Sequence, residues 1–321
     1  GKKQSYDNSW DLYAMSQFST ITSISESPVQ IDLIYVGTDD GLIQITEDGG
    51  GTWRKIEVDD LPGVPAMSYV NDIKADLHDP NKVYIALDAH KYGDFEPYLL
   101  VSEDKGMSWK SSTEGIPERT LVWRIVQDHV DKDLLFTGTE FGIYFSRNGG
   151  DKWTKMKGFI PNIPVRDLAI HKRENDLIAG TFGRSIWILD DYTSLRNIND
   201  ETLGSEAALF PVKDAWWYIA RAHLSFGEGP GFQGASHWVS PNPEVGASMT
   251  YYLKESLKTK AKERKEAEKK AKKAGEEIEF PGWDALEAEE REEAPKVFIT
   301  IKDTEGNIIQ RIDVPASKGM H

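Results

Sequence analysis

Short apolar runs alternate with polar turn phrases along the first two-thirds of the chain, and nothing there carries the period of a helix. Four runs share a pattern: Ile34-Tyr35-Val36-Gly37-Thr38, Val83-Tyr84-Ile85-Ala86-Leu87, Leu135-Phe136-Thr137-Gly138-Thr139 and Leu177-Ile178-Ala179-Gly180-Thr181. Each is β-branched or aromatic with one small residue at a fixed place, the composition of a sheet strand. Gly37, Ala86, Gly138 and Gly180 lie 49, 52 and 42 positions apart. That interval suits one four-stranded blade of a propeller and exceeds most helical repeats. Turn signals such as Asp79-Pro80-Asn81 and Arg173-Glu174-Asn175-Asp176 separate the runs at hairpin intervals.

A second pattern lies between the runs. TEDGGGTW at residues 46–53, SEDKGMSW at 102–109 and SRNGGDKW at 146–153 fit Ser/Thr-x-Asp-x-Gly-x-Ser/Thr-Trp, with Asn148 for Asp and Lys152 for Ser/Thr in the third. Each reads as a hairpin turn. The side chains of Asp48, Asp104 and Asn148 accept backbone N–H groups about two residues on, and Gly50, Gly106 and Gly150 supply positive φ. Trp53, Trp109 and Trp153 then bury an indole between strands and tie each turn to the sheet behind it. The aspartates are therefore turn-holding groups and not catalytic ones. An immunoglobulin-like sandwich would also have short strands, but it would not repeat a turn phrase at blade spacing. The fold class predicted for residues 1–191 is all-β, a partial propeller of four units.

Past Asp190-Asp191 the repeat stops, and residues 192–206 read as a linker. Residues 207–321 read as a β-sandwich, with strands expected at Ala208-Leu209-Phe210-Pro211, Trp216-Trp217-Tyr218-Ile219, 248–253, 296–301 and 308–314. Asp303-Thr304-Glu305-Gly306 is a hairpin turn joining the last two. About five strands fall short of a sandwich's usual seven. Together with a propeller of only four units behind Gly1-Lys2-Lys3, this predicts a piece of a longer protein, with blades and strands beyond both ends.

Residues 254–294 interrupt that sheet. Ten Lys/Arg against four Glu in 254–273 are followed by nine acidic residues in 276–293, opposed only by Arg291. Strong helix formers ending at Gly275, then Trp283-Asp284-Ala285-Leu286 before Pro295, predict an antiparallel helical hairpin with a basic and an acidic arm. Support is expected from Glu266 with Lys270 and Glu268 with Lys272. The first arm lacks a broad apolar face, so a solvated hairpin is preferred over a lipid or nucleic-acid patch.

Composition narrows the function. A formal charge of −15 argues against a nucleic-acid partner. The chain has no cysteine, which excludes disulfides and thiolate metal sites, and no run of about 18 apolar residues, so no spanning helix is predicted. His78, His90, His129 and His171 lack HxH or HxxxH spacing and read as exposed turn residues; no metal or other cofactor is expected. The loop Gly227-Glu228-Gly229-Pro230-Gly231-Phe232-Gln233-Gly234 matches no phosphate-binding spacing and reads as a connector that lets Trp238 reach the sandwich.

Candidate chemistry comes from register. Thirteen residues before Gly37, Ala86 and Gly138 stand Ile24, Ile73 and Ile125, preceded by Ser23, Asp72 and Arg124; a loop one residue shorter gives Asp167 in the fourth unit. On innermost strands, Asp72, Arg124 and Asp167 would converge on a central channel with Arg166 and Arg184. Two acids and several arginines can bind a sugar or an anion, or pair between blades and hold the wall, the reading preferred.

The turn phrases resemble the Asp-box repeat of bacterial neuraminidases. Gly180-Thr181-Phe182-Gly183-Arg184-Ser185-Ile186-Trp187-Ile188-Leu189-Asp190-Asp191 is similar to the closing repeat of large bacterial sortilin-like propeller proteins labelled glycosyl hydrolases. The stretch Pro241-Asn242-Pro243-x-x-Gly246-Ala247-x-x-x-Tyr251-x-Leu253 resembles the sandwich that follows their propeller. The resemblance implies the carboxy-terminal portion of such a protein, a strand after His321, and an exported or cell-envelope location. It does not imply one activity, since Asp-box hairpins occur in hydrolases, assembly factors and sorting receptors alike. The cysteine-rich modules of eukaryotic sortilins have no counterpart here. Sialidase chemistry lacks its Arg-Ile-Pro phrase, because Phe159-Ile160-Pro161 has no arginine, and no Tyr/Glu pair is identifiable. The function expected is a binding propeller for a protein or glycan ligand, with Arg124, Arg166 and Arg184 as binding candidates. The alternative is a glycoside hydrolase using Asp72 and Asp167 as acid and base.

Overall fold

The structure, a computed structural model, describes residues 19–158, 160–217 and 245–321. Gly1-Lys2-Lys3, Phe159, Tyr218, Ile219, the loop 227–234, Trp238 and Pro241-Asn242-Pro243 lie outside them. The chain divides into two compact units, Gly1–Arg196 and Asn197–His321.

The first unit is a succession of antiparallel sheets, each in chain order. Blade 1 holds β1 (Ile21–Glu26), β2 (Ile34–Thr38), β3 (Leu42–Thr46) and β4 (Arg54–Glu57). Blade 2 holds β5 (Tyr69–Ala75), β6 (Val83–Ala89), β7 (Asp94–Ser102) and β8 (Lys110–Ser111). Blade 3 holds β9 (Val122–Gln127), β10 (Leu135–Thr139), β11 (Gly142–Ser146) and β12 (Thr154–Lys155), and blade 4 has β13 (Val165–His171), β14 (Asp176–Thr181) and β15 (Ile186–Leu189). The first strands of neighbours pack on one another: β1 on β5, β5 on β9, β9 on β13. Four meandering sheets stacked through their first strands are blades of a β-propeller.

Every first strand bulges at the same place, leaving Thr22, Asn71, Trp123 and Arg166 as the extra residues. Three residues apart, Val70 and Ile73 would face opposite sides of a regular strand; the bulge puts both on the side facing blade 1. There they join Leu33, Tyr35, Ile43 and Ile45 in one core. Val122 and Ile125 do the same against Tyr84, Leu99 and Val101 of blade 2. Each such side chain, fully buried, contributes about 1.5–3 kcal/mol. The repeated small residue follows from this packing. A Cβ on Gly37 would lie 2.2 Å from Val70 Cγ1, and one on Gly138 would lie 2.7 Å from the Val165 carbonyl oxygen.

The turn phrases form one hydrogen-bond unit three times. Thr46, Ser102 and Ser146 each donate a hydroxyl to the residue two on and accept the N–H of Gly50, Gly106 or Gly150. Asp48 Oδ1, Asp104 Oδ1 and Asn148 Oδ1 accept the N–H of Thr52, Ser108 and Lys152 at 2.8, 2.8 and 3.0 Å. The accepted N–H is four residues on rather than two, because the positive-φ glycine folds the loop back over the carboxylate. The second carboxylate oxygen takes the hydroxyl of Thr52 at 2.8 Å and of Ser108 at 2.6 Å. This explains why the third copy changes twice: Asn148 offers no second acceptor oxygen, and Lys152 offers no hydroxyl.

The tryptophans diverge from expectation. Trp153 is buried between blades 2 and 3 and donates its indole N–H to the Ser112 carbonyl at 2.8 Å. Trp109 is half-buried against Ile45 and Ile56 of blade 1. Trp53 is 44% exposed. Trp109 and Trp153 each pack on the blade before their own, and among the described residues no blade precedes that of Trp53.

The stretch read as a linker holds two short helical turns. A 3-10 turn at Tyr192–Asn197 buries Tyr192 and Leu195, and α1 (Asp200–Gly204) is closed by a capping box from Asn199 and Thr202. Tyr192 donates its hydroxyl to Asp128 Oδ1 at 2.6 Å, and Arg196 Nε and Nη2 contact both Asp128 oxygens at 2.7 Å. Burial raises the Asp128 carboxyl, but the Arg196 and Tyr192 hydrogen bonds outweigh it and hold the group below its ordinary range.

In the second unit β16 (Ala207–Leu209) pairs with β17 (Tyr251–Leu253), and β18 (Val297–Lys302) pairs with β19 (Ile308–Val314) through the turn held by Asp303. β20 (Gly319–Met320) adds to β17. Trp216 and Trp217 are exposed and in no strand. α2 (Lys260–Ala274) ends at Gly275 in the left-handed conformation, and α3 (Trp283–Arg291) follows. The ion pairs differ from those read by spacing. Arg264 joins Glu268 at 2.6 Å and Glu289 at 2.8 Å, and Lys258 joins Glu266. The planar guanidinium pairs bidentately with Glu289 through Nε and Nη2 while its Nη1 reaches Glu268, a fork geometry that a lysine ammonium lacks.

Candidate functional site

The bulge and the residue after it set out two rows of side chains along the first strands. The row after the bulge is Ser23, Asp72, Arg124 and Asp167, and it is linked from blade to blade. Ser23 Oγ lies 3.3 Å from Asp72 Oδ1 and accepts the Ile73 N–H at 3.0 Å. Asp72 Oδ2 accepts the Ile125 N–H at 2.9 Å. Arg124 Nη1 donates to Asp72 at 3.2 Å, and its Nε lies 2.9 Å from Asp167 Oδ1. Asp72 is buried, and that burial raises its carboxyl above the ordinary range although Lys74 and Arg124 pull the other way. Asp167 is exposed and accepts its neighbour's Leu168 N–H at 3.0 Å. One guanidinium thus sits between the two candidate acids.

The bulge row is different. Thr22 and Asn71 donate across to the next blade, to the Val70 and Val122 carbonyls at 2.7 and 2.8 Å. The later two stack: the Arg166 guanidinium lies 3.5 Å from the Trp123 ring centroid and 5.5 Å from that of Phe182. Trp123 donates its indole N–H to Glu140 at 3.1 Å, and His90 meets it edge-on at 5.9 Å. Asp88 pairs with the His90 ring. Arg166 therefore belongs to an aromatic cluster and not to the Asp72–Arg124–Asp167 row. Arg184 is exposed, its carbonyl accepting the Trp187 indole N–H at 3.0 Å.

Beside that cluster a cleft of roughly 340 Å³ opens between blades 2 and 3, lined by Phe95, Glu118, Arg119, Leu121, Glu140 and Phe141. The Arg119 guanidinium lies 5.2 Å from the Phe95 ring centroid. Phe95 and Phe141 are exposed, an arrangement that presents apolar ring faces beside charged groups.

No protein-family model matches the chain, and no curated protein matches it. Among solved structures, the GH74 xyloglucanase from Xanthomonas campestris is 14% identical, with 53% of this chain and 29% of that one covered at a TM-score of 0.42. The GH74 enzyme of Niastella koreensis is 13% identical, covering 54% of this chain and 29% of that one at 0.43. YCF48 from Cyanidioschyzon merolae is 16% identical, covering 55% and 57% at 0.40. The chain spans less than a third of the length of the two GH74 enzymes.

Sequence spacing found the Asp72 row but missed the cluster. The bulge moves Trp123 and Arg166 out of the strand's alternation, and Glu140 and Phe141 sit in a two-residue turn with no motif. The one available signal was Trp123 itself, an aromatic directly before the aligned Arg124. Among the described residues no group of three or more acidic, His or Cys side chains could hold a metal ion. The histidines are not bare turn residues: His78 Nε2 lies 3.0 Å from the Asp128 carbonyl, His129 3.4 Å from Asp128 and His171 3.5 Å from Asp176. No helix of the described residues is long and apolar enough to cross a membrane.

Proposed function

We propose that this chain is a binding propeller of an exported or cell-envelope protein, related to the Asp-box and sortilin-like proteins, which holds a protein or glycan ligand at the cleft between blades 2 and 3. The second unit, a sandwich with a charged helical hairpin inserted, serves as an accessory module. The carrying observation is the pairing of exposed Phe95 and Phe141 with Arg119, Glu118 and Glu140 around one opening. Ring faces pack on sugar rings or apolar side chains, while the charged groups orient them. Asp72 and Asp167 are both engaged by Arg124, so neither is left as an isolated acid or base.

Binding to a glycan panel and to a peptide library tests this reading. Phe95→Ala with Phe141→Ala is expected to lower affinity at least tenfold for whatever the chain binds, with the melting temperature held within a few degrees. Unchanged binding would remove the cleft from the proposal. A second reading, glycoside hydrolysis, is favoured by two carboxylates lining that cleft. Release of reducing sugar from xyloglucan that is abolished by Glu118→Gln or Glu140→Gln supports hydrolysis over binding alone.

A further inference from the structure

Three segments meet at the cleft between blades 2 and 3, and each of these blades has a further blade on its other side, blade 1 or blade 4. Phe95 stands in β7, Glu118, Arg119 and Leu121 in the loop from β8 to β9, and Glu140 and Phe141 in the turn from β10 to β11. Hydrogen bonds fix these segments to one another. The Glu140 N–H donates to the Leu121 carbonyl at 2.9 Å and ties the turn to the loop. Thr139 Oγ1 accepts the Phe141 N–H at 3.2 Å and donates to the Gly142 carbonyl at 2.8 Å. The Glu140 carboxylate is itself aimed, because one oxygen takes the indole N–H of Trp123, a buried ring with the Arg166 guanidinium stacked on it. A cleft held in this way needs little ordering to take a ligand.

Its charges are unbalanced. Other acids of the propeller have basic partners: Asp72 and Asp167 have Arg124, Asp128 has Arg196 and Asp88 has the His90 ring. Glu118 and Glu140 line one opening, and among the described residues neither has a cation partner. The rings show the same gap. Arg119 lies on Phe95 and Arg166 on Trp123, whereas Phe141, 41% exposed and next in sequence to Glu140, has no cation over its face among the described residues. A ring face beside a carboxylate attracts an ammonium or guanidinium through both groups. A sugar hydroxyl can bond to such a carboxylate but leaves the two negative charges uncompensated. The volume of roughly 340 Å³ is at the low end for a ligand pocket, room for a side chain or two.

We propose that the cleft takes a peptide segment carrying an arginine or lysine side chain next to an apolar one. The inference rests on the reading of this cleft as the binding site and narrows its ligand. The cation of the peptide lies on the Phe141 ring beside Glu140 and Glu118, and completes the pairing that Arg119 and Phe95 already make within the chain. The apolar neighbour packs against Phe95 and Leu121. Charge complementarity decides the occupant: the opening offers two carboxylates and a free ring face, and the missing member is a cation on a short apolar stem.

Fluorescence anisotropy on the whole chain tests the proposal, with short labelled peptides that carry Arg-Leu, Lys-Leu, citrulline-Leu or norleucine-Leu in one neutral frame. The Arg and Lys peptides are expected to bind about tenfold more tightly than the citrulline and norleucine peptides, and to weaken as salt rises from about 50 to 300 mM. Glu140→Gln keeps an acceptor for the Trp123 indole and should cut that preference by roughly threefold to tenfold, and Glu118→Gln should cut it by less. Phe141→Leu keeps an apolar side chain without a ring face and should reduce it as well. Glu276→Gln with Glu277→Gln removes two exposed charges of the second unit and should leave the preference intact. Equal affinity for the Arg and citrulline peptides overturns the proposal. So does a preference that survives Glu118→Gln combined with Glu140→Gln, or one that falls equally when Glu276 and Glu277 are changed. Spermidine or arginine amide binding as tightly as the Arg-Leu peptide overturns the assignment to a peptide. Neutral glycans that bind the wild type, and not the variant with Phe95→Ala and Phe141→Ala, would overturn this inference and leave the cleft as the binding site; peptide binding unchanged in that variant removes the cleft itself.

Discussion

The turn ending in Trp153 and the turn ending in Trp53 have matching internal hydrogen bonds and opposite surroundings. In both, a hydroxyl caps the loop and a side-chain oxygen accepts the N–H four residues on. Yet one indole is 2% exposed and the other 44%. Local chemistry therefore makes the turn, and the blade in front decides what the tryptophan contributes.

The comparison breaks or sharpens most strongly at Trp153. Trp153→Ala removes a buried indole and its hydrogen bond to Ser112, and denaturant unfolding should show a loss of about 3–5 kcal/mol. Asp72→Ala tests the interface from the inner row; it leaves the Ile125 N–H buried without its acceptor, and a loss of about 2–3 kcal/mol is expected. Asp72→Asn retains an acceptor oxygen and should cost less. Trp109→Ala, at a half-buried site, should cost about 2 kcal/mol. Trp53→Ala, at an exposed site, should cost the least of the three tryptophan changes, no more than about 0.5 kcal/mol. A large loss at Trp53 would show that the indole anchors its turn without a blade in front of it.

The smallest effect expected is in pH. Hydrogen bonds from Thr52 hold Asp48 at about 2, and those from Ser108 hold Asp104 at about 2. A depressed folded value means that these groups stabilise the turns above the ordinary carboxyl value, near 4, and that the contribution is lost as pH falls toward 2. Asp72, raised by burial, runs the other way: its ionisation weakens the fold as pH rises past that ordinary value. Acid unfolding of a variant with Asp48→Asn and Asp104→Asn should therefore show a flatter limb between about pH 4 and pH 2 than the wild type. Identical limbs would mean that the turn aspartates keep their hydrogen bonds in the unfolded chain.

Much of the fold was readable because its causes are local. Gly37 and Gly138 mark close backbone approach, Asp48 and Asp104 mark turns, Gly275 ends α2, and strand β19 matches the run read at residues 308–314. The aligned acids and arginine were also legible, since register is counted along the chain. What escaped depends on neighbours in space. The bulge that turns Arg166 onto Trp123 has no sequence mark, nor does the cleft at Glu140 and Phe141. The exposure of Trp53 depends on what lies in front of it, and Trp216 and Trp217 stand in no strand although their residue types suit one. The pairing of Arg264 with Glu289 needs two helices side by side, which i,i+4 counting does not see.

The clasp of Tyr192 and Arg196 on Asp128 has a mechanical consequence. Asp128 belongs to blade 3, so the chain leaving blade 4 is fastened one sheet back from where it emerged. Tension transmitted along the polypeptide from the second unit reaches this knot before it reaches β15. The load then meets three short hydrogen bonds to one carboxylate ahead of the three-stranded sheet of blade 4.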